Sequence, residues 1–580
     1  MKKLKLISML CTLVLLFGCI AVFPAFAESK VWTEADGTGT AGVTYELNQD
    51  NFHLFWKTAR AGGDIKGNYV LTTNVIFNEG KDASDWIDAS KRPAAGSEGL
   101  WDCPIGNLAS FRGTFDGQGH TISGICMIPY QAALRSGLFN WVQSDATVKN
   151  LRLENCYFEN QAKIADGYFE SGSIACRLAN GIIENIYSDV ILNNTNTDSS
   201  EGNVVLGGIV GFVHGGATDA QIRNCVFAGK IVNSISVTGG IVGKINGGNT
   251  ATISNCVNMG SIKSSGDICG AILGRNSGTC KGIINCMNLS ADVREGTRIG
   301  SSLYGAGYTT AVPVTNFKLV TGYKTNEVSS GKGVSDAPAW DIKEITLNEL
   351  LDDENKVFPT WTYKDGTVPT PTSGLGDISL AKIASGLNNT MLGLATEGEI
   401  HSIRISHDNP GLRFETHVDG DMLAKLKAAG AKLTMTTYIT AGNYITGVEG
   451  AVFTKEALDE TGKQYLTVVA EELLRTDDVD GYTAFAGSVV NINEKSMKYI
   501  AVGALTIELD GSTYTIYAKW SANESVSVSD IATLAAGDVK SAAEDGYENA
   551  ITDIKGASVY SPYNQTEYDC IKSLISDPEA

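Results

Sequence analysis

Five copies of an asparagine-centred segment recur in the first half of the chain: "RLENCYF", "IIENIYS", "QIRNCVF", "TISNCVN" and "GIINCMN". Their asparagines are Asn155, Asn185, Asn224, Asn255 and Asn285, at spacings of 30, 39, 31 and 30 residues. A glycine-flanked apolar segment precedes each copy: "SGLFNWV", "SGSIACRL", "LGGIVGFV", "TGGIVGKI" and "CGAILGRN". A repeat of this length is one unit that buries its apolar face only against its neighbours. The copies are short, β-prone and without helical periodicity.

The pattern around each Asn shows how the chain bends. The residue two before it is apolar (Leu153, Ile183, Ile222, Ile253, Ile283), and so is the next one after it (Cys156, Ile186, Cys225, Cys256, Cys286). Positions three apart face opposite sides of a straight strand. Both point inward only if the chain turns at the Asn, the non-glycine residue that best accepts a left-handed backbone. The expectation is an asparagine ladder, one per coil, in a parallel β-helix rising about 4.8 Å per coil. A right-handed coil is expected, because crossovers between parallel strands are right-handed.

"GGIVG" followed by "I-x-N-C-x-x-x-G-x-I" resembles the GLUG-type repeats of bacterial secreted and surface β-helix proteins. The upstream "WDCPIGN", "FRGTFDGQGHTISGI" and "SGLFNWV" resemble the opening coils of such helices. The resemblance runs from about Thr44 to Gly307. It implies the fold and not an activity, because one scaffold hosts binders and enzymes alike. Similar repeats accompany some cell-surface proteases and adhesins. In the second half, "IRISHDNPGLRFETHV" and "EALDETGKQYLTVVA" look similar to an uncharacterised module of secreted proteins from anaerobic Gram-positive bacteria.

The chain reads as four segments. Residues 1–27 carry three lysines, an apolar run and Ala25-Phe26-Ala27, the marks of a secretory signal. A lipoprotein cleavage at Cys19 is the rival reading, which Phe17 fits poorly. Residues 28–330 read as the β-helix, with repeats over about 114–307. An amphipathic helix with Phe52, Phe55, Trp56 and Ala59 on one face is expected to plug its N-terminal end, capped by Asp50 or Asn51. "NYVLTTNVIF" reads as the first strand. Residues 331–376 read as a C-terminal cap, with a helix around Leu347 to Leu351, and the linker "YKDGTVPTPTSGLGD". Residues 377–580 read as an α+β or β-sandwich domain, with a hairpin at Asp510-Gly511. There "GDMLAKLKAAGA" and "TKEALDETGKQYLTVVAEELL" are mostly helical in pattern, as are two stretches near the end. The fold class is therefore mainly β.

Net charge is −20 and becomes about −23 once Lys2, Lys3 and Lys5 leave with the signal. That argues against nucleic acid, whose phosphates need cationic partners. No later apolar run is long enough to span a bilayer.

The quoted "GTFDGQGHTISGI" places Asp116 and His120 among glycines. Turn chemistry explains both: Asp116 starts a turn, the glycines punctuate it, and Phe115, Ile122 and Ile125 fill the core. No HExxH motif occurs. His401, His407 and His417 lie near two strands, but no Cys or acid stands at ligand spacing, so scattered histidines are the better reading. "NTD" at Asn196 to Asp198 resembles a polygalacturonase motif, yet the paired aspartates and the Gly-His-Gly that should follow are missing. Asp166, Asp189, Asp198 and Asp219 are the acids that could converge on one face for hydrolysis. Arg177, Arg223 and Arg275 are the bases a lyase would use. "DDVDG" at Asp477 to Gly481 lacks the later acidic ligand of a calcium loop. Cys225, Cys256 and Cys286 are expected as a reduced, buried stack. Cys269 and Cys280 are the pair better placed to bond, if any do.

These observations favour an extracellular, secreted or cell-surface-associated binding protein, adhesin-like and without an enzymatic role. Its expected partner is a glycan or cell-surface protein. Catalytic residues are unknown, no metal site is assigned, and no cofactor is expected, with calcium possible. Trp86, Trp101, Trp141, Tyr168 and Tyr187 are the candidate sugar-stacking aromatics, with core packing as the other reading. The alternative function is a polysaccharide hydrolase or lyase acting on the β-helix face.

Overall fold

The left-handed asparagines organise the first half of the structure. In the computed structural model Asn185, Asn224, Asn255 and Asn285 have φ of 52°, 56°, 50° and 51°. The structure describes residues 29–61, 63–106, 109–129, 135–143, 146–160, 169–195, 204–235, 237–264, 268–290, 312–320, 341–371, 375–397, 403–404, 410–442, 454–472, 481–518, 525–533 and 573–574. The chain divides into two compact units. Of the described residues, the first holds those up to Cys286, with 312–315 and Asp341; the second holds 287–290, 316–320 and those from Ile342 onward.

The first unit is a parallel β-helix. One coil reads Ala220–Phe227, Lys230–Ser234, Val237–Gly239 and Val242–Ile245, and the next begins at Thr250–Ser254. Each strand pairs in parallel with its equivalent one coil on. Ile183 aligns with Ile222, Ile253 and Ile283. All ten apolar flanking residues named above are fully buried. The bend at each Asn therefore turns both neighbours inward, as the spacing requires.

The ladder departs from the expected alignment at one rung. Lys149 and Leu151 pair with Glu184 and Ile186, which sets Asn150 beneath Asn185. Asn185 Nδ2 donates to Asn150 Oδ1 at 2.8 Å, and Asn255 Nδ2 to Asn224 Oδ1 at 3.0 Å. Asn155 turns a different corner, above Gly124: Ser123 pairs with Glu154. Its amide bonds Lys81 O and Ala83 N, both at 2.7 Å. Asn150 obeys the same rule, with Val148 and Leu151 buried on either side. Two corners of one coil thus share one local chemistry, and similarity of "RLENC" to "IIENI" cannot separate them.

The corner between the third and fourth strands of a coil uses paired glycines. A Cβ on Gly208 would sit 1.9 Å from Gly240 O, and one on Gly240 would sit 2.1 Å from Ala271 O. The backbones of successive coils touch here, so no side chain fits.

The N-terminal helix spans Phe52–Ala61, and Phe52, Phe55, Trp56 and Ala59 are buried. Trp56 stacks on Trp101 at 4.7 Å and donates to Cys103 O at 3.0 Å. Asn48, not Asp50, accepts the amides at its entry; Asn51 Nδ2 instead braces Trp32 O at 3.1 Å. The stack begins before "NYVLTTNVIF": Lys30–Val31 pairs with Thr44–Leu47, which pairs with Asn68–Leu71. Those two strands are short, and the alternation of Tyr45 and Leu47 is too brief a signal to stand out. No helix among the described residues is long and apolar enough to cross a membrane.

The described residues of the second unit form two larger antiparallel sheets and a two-stranded one. Gly411–Asp419 pairs with Tyr482–Val489 in one, and Lys432–Ala441 with Tyr499–Leu509 in the other. Gly503 N donates to Thr396 Oγ1 at 2.9 Å, joining one sheet to the other. Asp510 and Gly511, at φ 48° and 76°, close the hairpin to Ser512–Tyr517. The helix near Leu347 is present as Leu347–Leu350, with a Thr346–Glu349 capping box. It is grouped with this unit, where Asn348 donates to Asp421 at 3.2 Å. Within the stretch read as a linker, Thr367–Val368 pairs with Ile378–Ser379. Among the described residues, "TKEALDETGKQYLTVVAEELL" is helical only over Lys455–Glu460. Gly462, at φ 61°, ends it, and Leu466–Val469 then joins a sheet beside Thr436–Ile439. Its β-branched residues fit a pleated edge better than a helix. The two stretches near the end lie largely outside the described residues.

All nine described mature cysteines are buried and form no disulfide, including Cys269 and Cys280, which sit on different sheets. Cys256 N lies 3.4 Å from Cys286 Sγ, so the expected stack is formed.

Three outcomes are expected. Gly240→Ala forces the coils apart and lowers stability by about 3 kcal/mol or more, read as a drop in Tm. Burial pushes the thiols of Cys103, Cys126, Cys176 and Cys280 up to about 12. The unfolded chain releases those protons near pH 9, whereas the folded chain holds them. Stability is therefore complete below pH 9 and falls as pH rises toward 12, by about 1.4 kcal/mol per unit for each thiol. Urea midpoints across that range check the slope. Native iodoacetamide labelling should miss Cys225, Cys256 and Cys286, and modification of Cys256 would refute the stack.

Candidate functional site

"GTFDGQGHTISGI" contributes two strands, Thr114–Asp116 and Thr121–Ser123, and the turn between them. Asp116 Oδ1 accepts from Gln118 N at 2.9 Å and Asn150 Nδ2 at 3.0 Å. Lys149 stands 3.5 Å from its other oxygen. His120 N donates to Gly117 O at 2.8 Å, and its ring Nδ1 lies 3.3 Å from Asn74 Oδ1. A Cβ on Gly124, at φ 77°, would strike Phe77 O at 1.7 Å. Asp116 is thus committed to holding a turn.

The same strands build a groove on the outer side of the coils. Val75–Ile76, Thr121–Ser123 and the end of Thr147–Glu154 are adjacent. Register sets Ile76, Ser123 and Glu154 in one outward row across three coils. A groove of about 380 Å³ lies over this row, edged by Asn74, Thr121 and Glu79 and by the corner asparagines Asn78 and Asn155. Ile76 is 45% exposed, an apolar patch amid polar neighbours. Arg152 holds Glu154 with Nε at 2.7 Å, so the carboxylate is held in one orientation. The groove offers amides, hydroxyls, two carboxylates and a small apolar surface.

A second cluster occupies the outer face of the glycine-corner strands. Register aligns Trp141, Arg177, Phe212, Lys244 and Arg275 on five successive coils. Inward neighbours Val142, Leu178, Val213 and Ile245 fill the core. Glu170 is fully buried, accepts from Arg177 NH2 at 2.6 Å and pairs with Arg135. Arg177 lies over the Trp141 ring at 5.5 Å, and Lys244 over Phe212 at 5.3 Å. Burial and the neighbouring Arg275 pull Lys244 down to about 8.

Of the candidates named from sequence, Trp141, Arg177 and Arg275 are brought together. Arg223 is elsewhere, bound to Glu184 at 2.7 Å. Trp86 and Trp101 are buried in the core, and Tyr187 is buried under Arg152 at 4.1 Å, so none of the three offers a free face. Asp189 and Asp219 stand beyond opposite ends of their strands and do not share a site: Asp189 accepts from Asn155 N at 2.6 Å, and Asp219 pairs with Lys281 at 2.6 Å. His417 lies 3.8 Å from Glu415. Asp166, Tyr168, Asp198, His401, His407 and residues 477–480 of the "DDVDG" loop lie outside the described residues. No group of three or more metal-type side chains occurs among the described residues. Sequence reasoning missed Glu170, Phe212, Lys244 and the groove. The signal for the row was a single varying position, Arg177, Phe212, Lys244 and Arg275, in otherwise apolar glycine copies.

The fold defines a parallel β-helix protein. No family model matches the chain. Halomucin from Haloquadratum walsbyi is 27% identical over 199 residues, which is 34% of this chain and 2% of halomucin's own length. A candidate immunoglobulin A1 protease from Bacteroides ovatus has 18% identity and a TM-score of 0.29, covering 47% of this chain and 86% of that one. A solved IgA1 protease has 16% identity and a TM-score of 0.30, covering 60% of this chain and 26% of that one. At these scores neither structure bears on the activity of this chain.

Glu170→Ala would leave Arg135 and Arg177 facing a buried void. The expected loss is about 3–5 kcal/mol, measured by urea unfolding, whereas Glu170→Gln should cost less.

Proposed function

We propose that this is a secreted or cell-surface binding protein of the adhesin type, and that its groove takes a hydroxyl-rich glycan. The observation that carries this reading is the outward row Ile76–Ser123–Glu154, edged by Asn74 and Thr121. Sugars present hydroxyls that exchange hydrogen bonds with amides and carboxylates, and C–H faces that rest on exposed apolar groups. Rigid strands hold these groups at a fixed spacing, so little entropy is lost on binding. The GLUG-like repeats, the signal-like start and the likeness to a short part of halomucin support an extracellular setting. The C-terminal sequence resemblance supports a Gram-positive anaerobe as its source. Glu79 and Glu154 favour one rival, a glycoside hydrolase, because hydrolysis needs two carboxyls flanking a bond. The bond from Arg152 weighs against it, since it occupies a carboxylate oxygen that an acid or nucleophile would turn to the bond being cleaved.

A glycan array probed with residues 28–580 tests the proposal. Binding should be selective, indifferent to EDTA, and weakened at least tenfold by Ser123→Arg, whose side chain fills the groove. A blank array, or binding that Ser123→Arg leaves intact, would overturn it. Release of reducing ends, abolished by Glu154→Gln, would install the hydrolase instead.

A further inference from the structure

We propose that His53 is a proton-operated latch: it holds the N-terminal plug in place at neutral pH and releases it, with one wall of the groove, on mild acidification. His53 lies in the first turn of the Phe52–Ala61 helix and is 5% exposed. Neither ring nitrogen has a hydrogen-bond partner among the described residues. The ring rests instead on aromatic carbon, 5.4 Å from the Trp56 ring and 6.4 Å from that of Phe77. The Glu98 carbonyl nearby already accepts from Trp101 Nε1 at 3.1 Å.

A neutral imidazole fills such a pocket as any aromatic ring does. An imidazolium does not, because it puts a charge in an apolar setting beside the positive end of a helix dipole. Burial is the main force that lowers the pKa of His53, and the Lys57 ammonium on the same helix adds to it. Glu98, on the segment leading into Leu100–Trp101, pulls the other way and is outweighed. Trp56 and Phe77 present rings without charge, and Arg60, further along the helix, is paired with Asp102 at 2.7 Å. The docked ring therefore stays neutral, while a released ring takes up a proton near pH ~6.5. Docking is complete above that pH and weakens as pH falls below it.

The plug is tied to the groove. Gln49, at the helix entry, accepts from Ile76 N at 2.7 Å and donates to Ile76 O at 3.1 Å. Phe77 lines the groove and also packs on the helix, its ring 6.4 Å from that of Phe52. Lifting the helix removes both supports from this wall. The effect on a bound glycan rests on the reading of the groove given above; the latch itself does not.

Hydrogen exchange of residues 28–580, corrected for the intrinsic pH dependence of amide exchange, tests the latch. Between about pH 7.5 and about pH 5, protection of Phe52–Ala61 should fall at least fivefold, with residues 75–77 following, while Ala220–Phe227 holds. His53→Phe keeps a ring and loses the proton site, so its helix should stay protected at both pH values. Unchanged protection of the wild-type helix would overturn the proposal, as would an equal loss in His53→Phe. If that variant does not fold, the pKa of His53 in the wild-type chain, read from exchange of its ring C2 proton, decides. A value below the ordinary ~6.5 sustains the latch, and one at or above it overturns the latch. A glycan found on the array should bind more weakly at the lower pH to the wild-type chain but not to His53→Phe. A blank array sinks the groove reading alone, and the exchange result still decides the latch.

Discussion

A coil of this protein has no core of its own, and the bend at each asparagine is what lets it share one. Straight strands would send half of their apolar residues to solvent. The left-handed turn at Asn185, Asn224, Asn255 and Asn285 swings the following residue inward, so that Ile183 and Ile186, or Ile253 and Cys256, fall on the same side. The amide side chain then finds its partner one coil away, as Asn255 does on Asn224. Glycine would permit the same dihedral but would supply no side chain to bond the next rung. Backbone pairing, amide stacking and apolar burial all run along one axis and all depend on that corner.

Much of this was readable before any coordinates. The inward residues follow from flanking positions three apart, and the Phe52–Ala61 helix from its 3.6-residue stripe. The hairpin at Asp510-Gly511 follows from turn chemistry alone. The error at Asn155 was also physical: Asn150 and Asn155 both sit between apolar neighbours, and both turn left-handed. Only the hydrogen-bond register shows which one stands under Asn185. In the second unit, "YLTVVAEELL" carries a helix-like stripe and strand-forming side chains together. Pairing with Thr436–Ile439 decided between them, and that partner lies some thirty residues upstream.

The candidate sites were less legible, because outward residues obey no periodicity of burial. The groove depends on Ile76, Ser123 and Glu154 meeting across three coils, though they lie far apart in the chain. The cationic row had a trace in sequence, one odd position in each glycine copy, hidden by the apolar letters around it. Single acids were misleading by contrast. Asp116 and Asp189 each satisfy backbone or side-chain donors at corners, a common task for short carboxylates in such a scaffold.

The rungs of the ladder differ in contour length while the columns stay aligned. From Asn150 to Asn185 the chain spends 35 residues, then 39, 31 and 30 on the next three circuits. Whatever a longer circuit adds must leave at the perimeter and return to the same register, since Ile183, Ile222 and Ile253 do not shift against each other. Interior and exterior can therefore evolve on separate schedules. A lineage could rewrite what the molecule displays, circuit by circuit, and never disturb the column of amides that keeps it upright.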